Sequence, residues 1–232
     1  MESNQNILPN RSFIRNGMAL FPCTVWKTEE IAKGKFVLQM EKPFSFTAGQ
    51  VLALALDDSH EPRIYSICSG ESDPFLQILF DVNKAGTVTP RLSKMRKGDL
   101  LYVSKPYGRF LPDRHSPMWW IATGTGIAPF YAMLRTGYQP VKLLHGARES
   151  THFHFEQEFL SRLGEHYVRC NSGMEEAGDF QGRVNHFLER LHDVPLDNKY
   201  YLCGRSLMVV EVRDLLIARG VPYENIVTEI YF

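Results

Sequence analysis

The sequence predicts two domains: an N-terminal six-stranded antiparallel β-barrel, then a C-terminal α/β doubly wound parallel sheet. Three observations carry this. The chain has 232 residues, 44% of them hydrophobic, enough for one large core or two modest ones. From residue 18 to about 108, short apolar runs are broken repeatedly by Gly, Pro, Asp and Asn, the rhythm of an all-β unit. Beyond Pro117, strand-like runs alternate with helical ones, the rhythm of parallel βα units.

Residues 1–17 are rich in Asn and lack a period, so they read as an N-terminal arm. The barrel domain is expected over residues 18–113, with strands in FPCTVWKTEE, KGKFVLQME, QVLALALD, RIYSICS, FLQILFDVN and DLLYVSKP. A brief helix is expected around Pro90 to Met95. The loop PYGRFLPDRHSP carries the boundary, near Asp113 to Pro117. In the second domain, 114–232, the strands are MWWIAT, VKLLHGA, HYVRC, YYLC and IVTEIYF. Between them lie the helices PFYAMLRTG, FEQEFLSRLG, VNHFLERLH and LMVVEVRDLLIARG.

Composition narrows the function classes. Twenty-six basic residues balance 26 acidic ones, so the electrostatic footprint of a nucleic-acid binder is missing. Cys23, Cys68, Cys170 and Cys203 lie far apart, without the spacing of a zinc site, a disulfide scaffold or an iron–sulfur centre. The polar start MESNQNILPNR has no apolar core of a signal peptide. Ser116 to Leu134 carries no charge, but its ATGTGIAP centre would leave backbone groups unpaired in lipid, so it reads as strand, loop and helix. A soluble protein of the reducing cytoplasm is expected, with no metal, no nucleic acid and no membrane among its partners.

Four segments have the chemistry of a site. Ala122-Thr123-Gly124-Thr125-Gly126-Ile127-Ala128-Pro129 follows a strand and opens a helix, so its backbone N–H groups can meet a phosphate; an ordinary tight turn has the same residues. Pro129 stands where the third glycine of GxGxxG would be, so the dinucleotide fingerprint itself is absent. Arg63-Ile64-Tyr65-Ser66 joins a cation, an aromatic ring and a hydroxyl, and Gly86-Thr87-Val88-Thr89 is a turn suited to an anion. Cys203-Gly204 ends a parallel strand, where such sheets place ligands, although a single Cys is more often a small core residue. The terminal Glu229-Ile230-Tyr231-Phe232 reads equally well as sheet packing.

Taken in order, these segments resemble the ferredoxin–NADP reductase family of flavoproteins, from Ala19 to Phe232. RIYS is similar to its flavin motif and FSFTAGQ to the lead-in before it. GTVTPRL is similar to its bacterial-type pyrophosphate segment, PYGRF to the loop closing the flavin domain, and GTGIAP to its nicotinamide-side loop. HGAR, CGRSLM and the terminal EIYF complete the series. The resemblance implies bound FAD, with Arg63 at its pyrophosphate, Tyr65 on one ring face and Ser66 beside the reactive nitrogen. It also implies that Gly86, Thr87, Val88 and Thr89 hold the pyrophosphate. Ile64, Val82 and Thr123 fall in the same flavin-binding segments. Tyr231 is implied on the other ring face, with Phe232 one residue beyond. Ser66, Cys203, Glu229 and Tyr231 form the implied catalytic set. Gly124, Thr125, Gly126, Arg148, Ser172, Arg183, Cys203 and Gly204 are implied to hold NADP.

One place departs from that family. The arginine that grips the NADP 2′-phosphate in its relatives is Gly173 here, in Asn171-Ser172-Gly173. Arg148 and Arg183 remain as phosphate ligands, so NADP is expected and NAD stays open. The implied partner is a small acidic electron carrier, ferredoxin or flavodoxin. Lys84, Arg91, Lys94, Arg96 and Lys97 form a basic run that is either its dock or an ordinary solvated surface. The alternatives are a reductase using free flavin or ferric iron as substrate, and a non-autonomous electron-transfer subunit of a larger complex. His152 and His154 are expected in a partly exposed loop, and Trp119 and Trp120 in the sheet core.

Overall fold

The computed structural model describes residues 12–174 and 177–231. The first sheet contains β1 (Phe13–Arg15), β2 (Met18–Ala32), β3 (Lys35–Met40), β4 (Val51–Ala55), β5 (Arg63–Ser66), β6 (Leu76–Asp81) and β7 (Leu100–Val103). Its order is β5-β4-β7-β2-β3-β6, with β1 paired to β2, and every pairing is antiparallel. An Ile67–Ile78 bridge, with the Cys68 N–H donating to the Gln77 carbonyl at 2.8 Å, draws the ends of the order together and closes the barrel.

The long β2 serves both halves of this barrel. Phe21–Thr24 pairs with β7, and the stretch from Val25 to Ala32 pairs with β3 through register shifts after Val25 and after Glu30. Such shifts bend and twist a strand, which lets one strand turn the corner. The period of two sends Leu38 and Met40, Leu52 and Leu54, and Leu76 and Ile78 inward, all at 0% exposure. A short helix, α1 (Thr89–Leu92), follows β6.

The expected arm is partly a strand. Residues 1–11 lie outside the described residues, but 13–15 pair with β2. Phe13 sets its ring edge-on to Tyr102, centroids 4.8 Å apart, over the small outer cluster of Leu20, Ala55 and Tyr102. The strand forms because that outer face of the barrel is apolar and needs covering.

The second sheet contains β8 (Met118–Thr123), β9 (Lys142–Ala147), β10 (Tyr167–Asn171), β11 (Phe180–Gln181), β12 (Lys199–Arg205) and β13 (Ile226–Tyr231). All its pairings are parallel, in the order β11-β10-β9-β8-β12-β13. Its helices are α2 (Ala128–Thr136), α3 (Glu156–Leu163), α4 (Val184–Glu189) and α5 (Ser206–Ala218). The two-residue β11 was not expected; the Gly182 N–H donates to the Asn171 carbonyl at 2.7 Å and locks it to β10.

Every residue of α2 from Ala128 to Leu134 is buried, because the helix lies between sheet and barrel. Ala48, Cys68 and Leu79 of the barrel share one apolar cluster with Trp120, Phe130 and Tyr201 of the sheet. Phe110, in the connection between β7 and β8, packs edge-on to both Phe130 and Tyr201, at 5.6 and 5.3 Å. Arg135 on α2 pairs with Asp73 of the barrel at 2.9 Å. The uncharged stretch 116–134 is therefore a strand, a 3₁₀ turn (Gly124–Ile127) and a helix, and no helix among the described residues is long and apolar enough to cross a membrane.

The tightest approach lies in that 3₁₀ turn. A Cβ on Gly126 would overlap the Cys203 carbonyl and the Gly204 Cα at the end of β12. Gly126→Ala is expected to lower stability by about 1–3 kcal/mol, the usual cost of forcing a methyl group into packed backbone. A urea midpoint equal to that of the wild type would show that the turn has room.

Candidate functional site

The strand order reverses between β8 and β12: the chain runs outward from β8 through β9 to β11, then returns to β12 on the other side. Such a reversal leaves a crevice beyond the carboxyl ends of the two strands. Thr123 and Gly124 leave β8 there, facing Gly204 and Arg205 of β12, and the Arg205 N–H donates to the Thr123 hydroxyl at 3.3 Å. The crevice opens onto the barrel as one cavity of about 1400 Å³, walled by Arg63, Ser66 and Thr87 on one side and Thr123, Gly204 and Glu229 on the other. That exceeds the ~300–1,000 Å³ that one drug-sized ligand fills, so two extended molecules can meet in it.

On the barrel wall, β5 presents Arg63 outward and Tyr65 half-buried against the edge of Phe80, at 6.4 Å. Burial pushes the Tyr65 phenol up to about 12, against the pull of the nearby Arg63 charge. Asn83 shapes the turn before α1. Its N–H donates to the Thr89 hydroxyl at 2.9 Å, its side-chain oxygen accepts the Ala85 N–H at 3.1 Å, and its carbonyl accepts the Gly86 N–H at 2.9 Å. Among the described residues no acceptor takes the amides of Thr87, Val88 or Thr89. Three successive free N–H groups beside Arg63, all on the cavity wall, make a cradle for an anion.

Barrel and sheet meet at Glu229. Ser66, 4% exposed, donates its hydroxyl to Glu229 Oε2 at 3.2 Å, across 163 positions of sequence. The register of β12 and β13 sets Cys203 beside Glu229, with Sγ 4.0 Å from the same oxygen. Burial drives the Glu229 carboxyl up to about 7, with the Ser66 hydrogen bond opposing it. Glu229 thus holds and releases a proton near neutral pH. Tyr107 lines the same cavity, and its buried hydroxyl has no partner among the described residues. Tyr107 lies within the PYGRF loop but was not among the expected site residues; an aromatic just before a glycine at a domain junction was the available signal.

Part of the cavity wall is basic. Arg148 after β9, Arg183 before α4 and Arg205 at the end of β12 line it with Ser172, and none of the three makes an ion pair among the described residues. Asn185 donates to Glu211 at 3.4 Å on the same wall, leaving its own side-chain oxygen unpartnered. The departure at Gly173 has a steric cause: a Cβ there would overlap the Arg148 carbonyl oxygen. His152 lines the cavity, but the expected exposed loop is not what His154 occupies. It is 3% exposed, and burial pulls its imidazole down to about 4. Among the described residues no three His, Cys, Asp or Glu side chains cluster as a metal site.

Most of the expected site residues therefore converge. Ile64, Gly86, Val88, Thr89, Gly124, Thr125 and Gly204 line the cavity as well. Val82 does not; it packs against the barrel core and donates its N–H to the Gly34 carbonyl at 2.9 Å. Cys203 and Gly126 sit just behind the wall. Tyr231 completes β13 beside Arg205, but its side chain, like all of Phe232, lies outside the described residues. Lys84, Arg91, Lys94, Arg96 and Lys97 are exposed around α1, and Arg91 also contacts His60 at 2.9 Å and Asp57 at 3.6 Å.

Known proteins match this arrangement. Residues 120–214 match the family model described as an oxidoreductase NAD-binding domain. A ferredoxin–NADP reductase of Pseudomonas aeruginosa is 31% identical over 207 residues, covering 75% of this chain and 80% of that protein. The electron transfer component of toluate 1,2-dioxygenase from Pseudomonas putida is 30% identical over 197 residues, but the chain spans only 57% of its length. Among solved structures, a ferredoxin NADP+ reductase from Neisseria gonorrhoeae with bound FAD and NADP superposes with a TM-score of 0.83 at 21% identity, over 92% of this chain and 99% of that one. With a barrel joined to a parallel sheet at one shared cavity, and with relatives of this identity and coverage, the chain belongs to the ferredoxin–NADP reductase family of oxidoreductases.

Proposed function

We infer that the chain is an FAD-dependent oxidoreductase that moves a hydride between NADP(H) and FAD, and single electrons between FAD and a small acidic carrier of the ferredoxin or flavodoxin type. The Ser66–Glu229 contact carries this reading. It puts a hydroxyl from the barrel and a titrating carboxyl from the sheet at the one place where ligands of both halves would meet. The donor set fits FAD: three unclaimed amides with Arg63 suit a pyrophosphate, and the half-buried Tyr65 ring suits a planar ring system. Residues 18–113 would hold the flavin and residues 114–232 the nucleotide.

FAD, once bound, supplies the exchange between a two-electron nucleotide and a one-electron carrier. The protein's own part is positional. Arg63 and the amides of Thr87 to Thr89 hold the phosphates, and Tyr65 bears on one ring face. Tyr231, ending β13, is proposed to cover the other. Ser66 and Glu229 share a proton at the reacting end, while the fully buried Cys203 thiol backs the wall and excludes water. Arg148, Arg183 and Ser172 would hold the nucleotide phosphates. Ile64, 64% exposed between Arg63 and Tyr65, and the basic run around α1 offer an apolar and cationic edge to an acidic partner. The amide cradle argues against a reductase that merely passes free flavin through. The four cysteines, free and buried, fit a reducing compartment such as the cytoplasm.

The purified protein is expected to be yellow with one FAD per chain, and heat-released cofactor running as FMN would overturn the assignment. Cys203→Ala and Glu229→Ala should each slow NADPH oxidation about 10–1,000-fold, which is ~1.4–4 kcal/mol of lost positioning, with FAD retained. Stopped-flow traces matching wild type would remove both from the site. Arg148→Ala and Arg183→Ala should weaken NADPH about 10–100-fold, the size of one charge-assisted contact, and leave NADH nearly unchanged. Equal losses for the two nucleotides would mean that neither arginine reads the 2′-phosphate.

A further inference from the structure

Tyr107 stands in a fixed relation to the Ser66–Glu229 contact. The Val51 N–H donates to the Tyr107 carbonyl at 2.8 Å, and the Tyr107 N–H returns to the Val51 carbonyl at 2.9 Å. Val51 is also the register partner of Ser66 across β4 and β5. Residues directly opposite each other in a sheet send their side chains to one face, so Ser66, Val51 and Tyr107 form a row on the same face. Because Val51 spends both its backbone groups on Tyr107, its pairing with Ser66 is of the close, non-hydrogen-bonded kind. All three line the cavity that Glu229 enters.

The ends of this row differ. Ser66 already donates to Glu229 Oε2, whereas the Tyr107 hydroxyl is buried with no partner among the described residues. A buried donor left unpaired costs free energy and calls for a reason. Burial, and after it the charge of Glu229, raises the Tyr107 phenol, and both residues line the one cavity. Among the described residues the titratable groups that face Glu229 are Cys203 from β12 and Tyr107 from the segment after β7; Ser66 from β5 adds a hydroxyl.

We propose that Tyr107 is a positioning residue for Glu229: its hydroxyl, without a partner among the described residues, turns on ionisation of Glu229 to donate to the carboxylate oxygen that Ser66 does not take, and holds the ionised side chain against the cavity wall. The tyrosine acts through Glu229 and touches no reacting atom. The carboxylate is then gripped from both ends of one cross-strand row, by serine and by phenol. The contact needs no bound ligand; only its consequence for nucleotide binding rests on the function proposed above.

The experiment follows the Glu229 side-chain carboxyl by ¹³C NMR across pH in the purified protein, its signal assigned by its loss in Glu229→Gln. In wild type the midpoint should lie near 7. Tyr107→Phe should raise it by about one pH unit, the scale of one hydrogen bond to a charged group. The melting temperature should hold or rise, because the hydroxyl removed has no partner in the neutral state. An unmoved midpoint, with or without a lower melting temperature, would overturn the proposal and leave Tyr107 a packing residue. As a second readout, the pH inflection of NADP+ affinity should move with the midpoint, and Tyr107→Phe should change nothing in a Glu229→Gln background. Flavin absorbance of the same samples separates the two readings. A colourless protein with a shifted midpoint rejects FAD and keeps Tyr107, and a yellow protein with an unmoved midpoint does the reverse.

Discussion

A serine on the barrel and a glutamate on the last described strand of the sheet share a hydrogen bond across 163 positions of sequence, and the geometry of the cavity depends on that seam. Neither residue could be brought to the other by local structure. Ser66 is placed by the β4–β5 pairing, and Glu229 by the parallel pairing of β12 with β13. What fixes their separation is the apolar layer between the two sheets: α2, buried from Ala128 to Leu134, with Phe110 wedged between Phe130 and Tyr201. Tyr201 reinforces this by donating its hydroxyl to the Leu111 carbonyl and accepting the Asp113 N–H, at 2.9 and 3.0 Å. The connection is thereby held against the sheet, and the reacting end of the cavity has a defined width.

That seam also explains the protonation state of Glu229. An exposed carboxyl would be fully ionised at neutral pH; burial between barrel and sheet moves this one up to about 7. Were the sheets to part, water would return and the carboxyl would fall toward its ordinary range. Closeness of packing and readiness to exchange a proton are therefore one property. Burial likewise keeps His145 and His154 neutral, pulled down to about 3 and 4, so His154 brings no cation to the cavity it lines.

Much of this was legible in the residues, and the part that was not has physical reasons. The switch from period two to alternating strands and helices marks both sheets, because each strand or helix buries one face of its own. RIYS, GTVT and GTGIAP stood out because glycines, hydroxyls and a cation in short turns suit an anion, and residues of all three line one cavity. The strand at Phe13 was not, since it owes its existence to Tyr102 and Leu20 on another part of the barrel. Nor was β11, which has two residues and no pattern. His154 lies between Phe153 and Phe155 in a segment expected to be partly exposed, and only the tertiary fold buries it. Tyr107 lies in the PYGRF loop, but its place on the same face as Ser66 comes from a bridge to Val51 that the loop's residues do not reveal. Val82 shows the opposite error: it lies in a flavin-binding segment by resemblance, but its side chain turns into the barrel.

The cavity also carries charge of both signs, with a titrating carboxyl at the seam and Arg148, Arg183 and Arg205 on its wall. An anion entering it meets a field that draws it toward those cations and away from an ionised Glu229 before any specific contact forms. These cations come from three places: the loop after β9, the residue before α4 and the last residue of β12. Spreading them in this way answers a steric limit. The chain crosses itself so closely at Gly173 that a side chain there would strike the Arg148 carbonyl. An arginine at that position would have to displace the very loop that carries Arg148. The placing of these cations therefore depends on how β9, β10 and β12 are aligned, and the same alignment of β12 with β13 sets Cys203 beside Glu229. The basic wall and the titrating carboxyl are linked through the register of a single sheet.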